Sequence, residues 1–347
     1  MLEEYKKATN KAIIEKLKTC DIYKPVEGWV VEYPEFEKLA DEQMHTFWAF
    51  TEPDVDSDLQ DLRVNMSEAE KYAVTENLKM FTLYEMRIGN DYWSGRIMQK
   101  YQRPEIKRLA SMFCAVEFNS HAPFYNKANE VLYLDTEDFY SEWKREPTMR
   151  RRMEFIGKCV NDSNDLVSLS AFSFIEGAVL YSSFAFFKHF QAEACGKNLI
   201  KNICRGIDLS VADENTHSVG GALLFKRTYA QVKPQLTQEE DNYLKRTIYD
   251  MAKTVYEHEE SLIDKLFAKG ELGGITKNNL KDFVKHRVNL CLNQLGYEDL
   301  YDKEALDGFI ESWFYKDINS VSLHDTFTGN GSEYNINWDE DKFGNVW

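Results

Sequence analysis

The sequence predicts an all-α protein, and three observations carry that prediction. Helical periodicity dominates from about residue 66 to 315. β-hairpin signals are nearly absent. Gly (17) and Pro (7) are scarce among 347 residues while aromatics reach 14%, a composition that long helices tolerate and turn-rich β-sandwiches do not.

Each helix has its own warrant. Ser67, followed by Glu68 and Glu70, makes an acidic helix start, and the helix runs to 88–89 with Leu78, Phe81, Leu83 and Ile88 on its apolar side. A second covers about 104–132, with Pro104 at a permitted early position. A third, about 162–193, is apolar almost all round (AFSFIEGAVLYSSFAFF), the mark of a helix at the centre of a bundle. A fourth covers about 208–230, and amphipathic helices follow at about 238–267, 277–294 and 303–314. No repeat of 20–50 residues is visible. After Ser320 the character changes: residues 325–347 are rich in Gly, Asn and acids, with isolated aromatics and no helical period. The expectation is one domain over 1–320 and a flexible tail over 321–347, with Trp338, Phe343 and Trp347 as docking anchors; a frayed terminus is the bland alternative.

Charge and cysteines narrow the setting. Lys+Arg total 42 against 58 Asp+Glu, a net charge of −16, which disfavours coating nucleic acid or clinging to anionic lipid. The six cysteines (Cys20, Cys114, Cys159, Cys195, Cys204, Cys291) form no CxxC pair and read as reduced, packed thiols of a cytosolic protein. The N-terminus has no apolar signal core, and the most apolar stretch, 171–187, carries Glu176 and several serines, too short and polar for a membrane span. A soluble, cytoplasmic protein is expected.

The informative feature is four acids and two histidines set inside apolar helical stripes. Glu85 falls at helical spacing after Leu78 and Phe81. Glu117 follows Leu109 and Phe113, with His121 one turn on. Glu176 is embedded in the third helix, and Glu214 and His217 form an E-x-x-H (ENTH) on the fourth. An ionised carboxylate in a dry core is costly unless paired or metal-bound. One could be a salt bridge or a neutral acid; four, with two imidazoles and no Lys or Arg in the same stripes, call for cations. Two divalent ions match four carboxylate charges. A Glu from each of two helices and a Glu-x-x-His from each of two others is the pattern of ferritin-like dimetal bundles. Such sites suit iron or manganese that reacts with dioxygen. His258, in YEHEESLIDKLF, also sits among acids but reads as part of an exposed charged helix face, and His45, His189, His286 and His324 lack comparable partners.

With those residues in hand, the chain resembles the small, radical-generating (β) subunit of class I ribonucleotide reductase. The resemblance runs from about Trp48 to Trp313 and is densest in NLKMFTLYE (77–85), EFNSHAPFYNK (117–127), FIEGAVLYSSFAF (174–186) and RGIDLSVADENTHSVGG (205–221). It implies a ferritin-like bundle whose metal ligands are Glu85, Glu117, His121, Glu176, Glu214 and His217. It further implies that Trp48 passes an electron towards the metals, and that Asp213 hydrogen-bonds both Trp48 and His121. One departure stands out: the family spaces its first Glu and His as E-x-x-H, whereas Glu117 and His121 are E-x-x-x-H. Both spacings keep the side chains on one helix face, and a π-type bulge absorbs the extra residue. Pro123, which cannot donate to Asn119, supports such an irregularity. The same slip leaves two readings of the radical position. Counted from His121 it is Tyr125; counted from Glu117 it is Phe124, as in members that keep the oxidant on an Mn/Fe pair.

The resemblance implies a chain that binds two metal ions, iron in both positions by expectation and Mn/Fe or Mn/Mn as alternatives. It activates them with an oxygen species and sends the oxidising equivalent to a cysteine of a separate large subunit, where ribonucleotides are reduced. Tyr334 would relay between subunits, residues 335–347 would dock, and a homodimer is expected. The chain shows no phosphate-cradling Gly-rich loop and no redox cysteine pair, so it should not bind substrate itself. The runner-up is a stand-alone ferritin-like oxidase or monooxygenase, which would need an apolar pocket reaching the metals. A non-catalytic storage bundle is a third reading, against which the length weighs.

Overall fold

Ser67 caps the first site-bearing helix through a reciprocal pair of bonds. Its Oγ accepts from the Glu70 backbone N–H, and Glu70 Oε2 accepts from the Ser67 N–H at 2.8 Å. The protein is seen here as a computed structural model describing residues 2–315. After α1 (Leu2–Leu17) and α2 (Pro34–His45) comes α3 (Glu68–Arg87), which passes into π-helical turns over Ile88–Ile97. α4 (Pro104–Val116) passes through a π turn, Glu117–His121, into α5 (Ala122–Val131). After α6 (Pro147–Val160), α7 (Asp165–Phe174) is joined by a π turn, Ile175–Val179, to α8 (Tyr181–Lys188). α9 (Lys201–Val232), α10 (Gln238–Leu266), α11 (Lys277–Leu295) and the short α12 (Glu311–Phe314) complete the bundle. Among the described residues there is no strand.

The α7–α8 unit is the bundle's axis. α9, α10 and α11 pack against it, while α2 lies on α4 and α3 on α5. The sequence reads this unit as too short and polar for a membrane. Asp165–Lys188 is in fact long and apolar enough to cross one by length and composition, yet its whole apolar window is buried inside the bundle. Close packing of α9 on α5 depends on Gly206, where a Cβ would lie 2.1 Å from the Phe124 ring.

Two expectations need correction. The helix expected over 303–314 is a 3₁₀ turn, Lys303–Ala305, then a loop and α12. Asp302 and Asp307 take the Glu304 and Phe309 N–H groups with their own carboxylates, offering the backbone an alternative to the helical ladder. His258 is half-buried rather than on an exposed face, with its ring edge-on to Phe155 at 5.3 Å. Its neighbour Glu259 is fully buried, 2.5 Å from Arg152 Nη2, and accepts from Ser182 Oγ at 2.7 Å. All six cysteines are free. Tyr334 and the tail anchors Trp338, Phe343 and Trp347 lie outside the described residues.

Candidate metal centre

Four helical segments bring the six predicted side chains into one buried cluster. Glu85 comes from the last turns of α3, Glu117 and His121 from the π turn after α4, Glu176 from the π turn after α7, and Glu214 and His217 from the middle of α9. None is more than 1% exposed. They form two overlapping sets, Glu85–Glu117–His121–Glu214 and Glu117–Glu176–Glu214–His217, each with its ligand atoms within 4.8 Å of one another. Glu117 and Glu214 belong to both sets, which puts them between the two centres.

The E-x-x-x-H spacing is resolved by the backbone. The helix widens to a π turn over Glu117–His121, so the extra residue is absorbed and both side chains point inward. His121 Nδ1 lies 3.0 Å from Glu117 Oε2 and 3.2 Å from Glu214 Oε1. His217 Nδ1 lies 2.9 Å from Glu117 Oε1 and 3.4 Å from Glu214 Oε2. Both imidazoles thus turn the same nitrogen to the carboxylates.

The electrostatics of these side chains describe a cluster short of positive charge. Burial and then the charge of Glu117 push Glu85 well above the usual carboxylate range. Burial and then Glu214 do the same to Glu176. Burial also opposes the charge on His217, but Glu117 outweighs it and lifts the imidazole to about 9. His121 is raised well above its ordinary value against the same burial, by Glu117 and then Asp213. Both oxygens of Glu85, Glu176 Oε2 and His217 Nε2 have no hydrogen-bond partner, and the close contacts of Glu214 with the two imidazoles and of Glu117 Oε1 with His217 lack hydrogen-bond geometry. Buried polar atoms are almost always satisfied. A hard, oxygen- and nitrogen-liganded donor set with so many free lone pairs fits two divalent ions.

Around this cluster sits a hydrogen-bonded shell. Asp213 Oδ2 accepts from Trp48 Nε1 at 2.8 Å and lies 2.9 Å from His121 Nε2, while Gln43 Nε2 donates to Asp213 Oδ1 at 2.6 Å. Ser120 Oγ donates to the Trp48 carbonyl at 2.6 Å. Trp93 Nε1 donates to Glu176 Oε1 at 2.9 Å. Phe124 sits edge-on to Trp48 at 5.7 Å, whereas Tyr125 stacks on Phe81 at 4.5 Å. Burial, and after it the charge of Glu85, raises the Tyr125 phenol well above its ordinary range.

Gln43, Ser120 and Trp93 were not legible in the sequence. Gln43 sits in a helix the periodicity did not reveal, and Trp93 reaches Glu176 only because π turns follow α3. Two buried arginines were also missed. Arg287 Nε donates to the Gly177 carbonyl and Arg152 Nη2 to the Val179 carbonyl, both at 2.8 Å. These carbonyls belong to the π turn that carries Glu176. Arg287 also reaches Asn215, beside Glu214, at 3.1 Å and the Tyr315 hydroxyl at 2.9 Å. Two surface cavities, of about 830 and 640 Å³, are lined by none of the six cluster residues.

A helical bundle with four carboxylates and two imidazoles at its centre has the make-up of the ferritin-like dimetal-carboxylate bundles. The chain belongs to the ribonucleotide reductase small-chain family, whose model matches residues 28–307. It is 26% identical over 326 residues to a probable ribonucleoside-diphosphate reductase small subunit of Invertebrate iridescent virus 3, covering 87% of this chain and 82% of that protein. It is 25% identical to the ribonucleoside-diphosphate reductase subunit beta of Treponema pallidum, covering 88% and 86%. Its fold is similar to that of the dimanganese(II) NrdF of Streptococcus sanguinis, with a TM-score of 0.70 at 20% identity, covering 83% of this chain and 98% of that one.

Proposed function

We propose that this chain is the oxidant-storing partner of a ribonucleotide reductase, with Glu85, Glu117, His121, Glu176, Glu214 and His217 holding two metal ions. Iron in both positions is the first expectation, with Mn/Fe and Mn/Mn as the alternatives. Bound there, the ions would supply the power to oxidise a side chain by one electron after reaction with an oxygen species. The rest belongs to the chain's own groups. Tyr125, shielded from water and in the field of Glu85, is our candidate to keep the oxidising equivalent as a tyrosyl radical. Trp48 relays an electron, and Asp213 holds both the indole and His121 in place. The observation that carries this reading is the Asp213 bridge, which joins a buried tryptophan to the cluster through two bonds under 3 Å.

From Trp48 the route continues through Tyr334 to a cysteine of the large subunit, where reduction of the ribonucleotide begins. The division into one domain over 1–320 and a tail over 321–347 falls on residues outside those described, and 335–347 are the segment we assign to docking on the large subunit. The protein works as a homodimer in the cytoplasm. The runner-up, an oxidase with its own small substrate, is disfavoured because the family is that of the reductase small chain.

Deleting 335–347 tests the division of labour. Reductase activity with the large subunit should vanish while element-resolved metal content stays at about two per chain. Loss of metal on deletion would refute it. The Fe:Mn ratio of protein grown with both metals chooses between the Tyr125 and metal-centred schemes.

A further inference from the structure

Arg287 is a buried cation where three parts of the chain meet. It stands on α11 and sits over the Tyr181 ring of α8, with its guanidinium carbon 3.6 Å from the ring centroid. Each of its three nitrogens donates to a different element. Nε bonds the Gly177 carbonyl at 2.8 Å, in the π turn that carries Glu176. Nη2 bonds Asn215 Oδ1 at 3.1 Å, beside Glu214 on α9. Nη1 bonds the Tyr315 hydroxyl at 2.9 Å, one residue past α12. The arrangement is braced from the side. Tyr181 Oη donates to the same Asn215 Oδ1 at 2.6 Å. Phe314, fully buried, lies 4.7 Å from Phe283 of α11 and 6.0 Å from Tyr181 between ring centroids. A guanidinium is a rigid planar fork, so these three bonds do not shift independently. Both inner bonds fall one residue from a cluster carboxylate. The outer one falls on an exposed side chain, the last described residue before the segment we assign to docking.

We propose that Arg287 couples the metal centre to the large subunit: its bonds to Gly177 and Asn215 sense whether Glu176 and Glu214 are ligated, and its bond to Tyr315 passes that state to the root of the C-terminal segment, so that the large subunit prefers the metal-loaded chain. The proposal rests on the reading of the chain as a reductase small subunit. Without cations the cluster is short of positive charge, and its buried carboxylates repel one another and loosen. With cations bound, Glu176 and Glu214 take set positions, which fixes Gly177 and Asn215 beside them. The fork then holds Tyr315. A segment whose root is already held loses less conformational freedom when it docks, so docking is tighter. The coupling is reciprocal: the large subunit raises the affinity for metal by the factor by which metal raises the affinity for the large subunit. The device needs no proton or electron transfer, only three bonds on one rigid group.

The test measures the dissociation constant between the full-length protein and the large subunit of the same organism. It is run on metal-free protein and on protein loaded with manganese(II) alone, with metal content measured on each sample. Loaded wild type is expected to bind at least about fivefold tighter than metal-free wild type. Tyr315→Phe removes one exposed hydroxyl and leaves the two inner bonds of Arg287, so it should load metal and lose the difference between the two forms. Arg287→Lys keeps the charge without the fork and should lose the difference too. An arginine with a merely structural role would weaken both forms alike and keep their ratio. Equal affinity of the two wild-type forms, or a ratio that survives in metal-loaded Tyr315→Phe, overturns the coupling alone. Wild type that takes up no manganese, or that binds no large subunit in either form, overturns the reductase reading and the coupling with it.

Discussion

Asp213 shows how much one side chain is asked to do. Its carboxylate serves Trp48, His121 and Gln43 at once, and outer partners of this kind fix ligand orientation at a worth of about 10–100-fold in metal affinity or activity. Asp213→Asn should fold, bind metal more weakly by that order in a chelator competition, and lose radical transfer. The acid was legible because it stands beside Glu214 in a motif; Gln43 was not, because glutamines on helices are usually solvated. His258 gives the opposite lesson. Burial, then Arg152 and Arg151, lower its pKa from 6.5 to about 4. It is neutral in the folded protein and charged in the unfolded chain below about 6.5. Its contribution to stability is therefore present above 6.5 and lost as the pH falls towards 4. His258→Gln should flatten part of the loss of stability between those pH values in denaturant titrations.

At the scale of the element, the π turns decide where the ligands point. Sequence periodicity placed the site helices, though the fourth begins at Lys201 rather than about 208, and the widened turn at Glu117–His121 was anticipated whereas the one at Ile175–Val179 was not, because a π turn changes the period for one turn only. The spacing of Glu117 and His121, with Pro123 just beyond, was the visible symptom of the first. The turn carrying Glu176 is held from outside by Arg152 and Arg287, and from within by a glycine. A Cβ on Gly177 would lie 2.4 Å from Cys291 Sγ and 2.7 Å from Ser218 Oγ. Gly177→Ala should therefore cost about 1–3 kcal/mol by overpacking. Arg287→Met leaves the buried Gly177 carbonyl without its donor, at about 1–3 kcal/mol. Both should lower metal occupancy as well as the melting temperature, whereas a core change remote from Glu176 should lower only the latter.

For the whole molecule, the all-α class was legible because long apolar stripes and few turn residues leave little else for the chain to do. The amphipathic helices α1, α2 and α6 were missed: their stripes are short and interrupted by charge, and packing on the bundle rather than local pattern makes them helical. A bundle built round four carboxylates is also one whose stability is coupled to its ions. Metal at about 100 times its dissociation constant should stabilise the fold by about 2.7 kcal/mol, seen as a melting temperature that falls when a chelator is added and recovers when metal is restored.

The bond from Arg287 to the Tyr315 hydroxyl bears on how the C-terminus is trimmed. Tyr315 is the last described residue, and through one guanidinium it shares an anchor with the main chain at Gly177. A truncation or protease nick that removes Tyr315 unties that anchor, so its effect on the metals would masquerade as a role for the tail. On the proposed reading, cuts made after Tyr315 would report on docking, whereas cuts made before it would report on the main chain around Glu176.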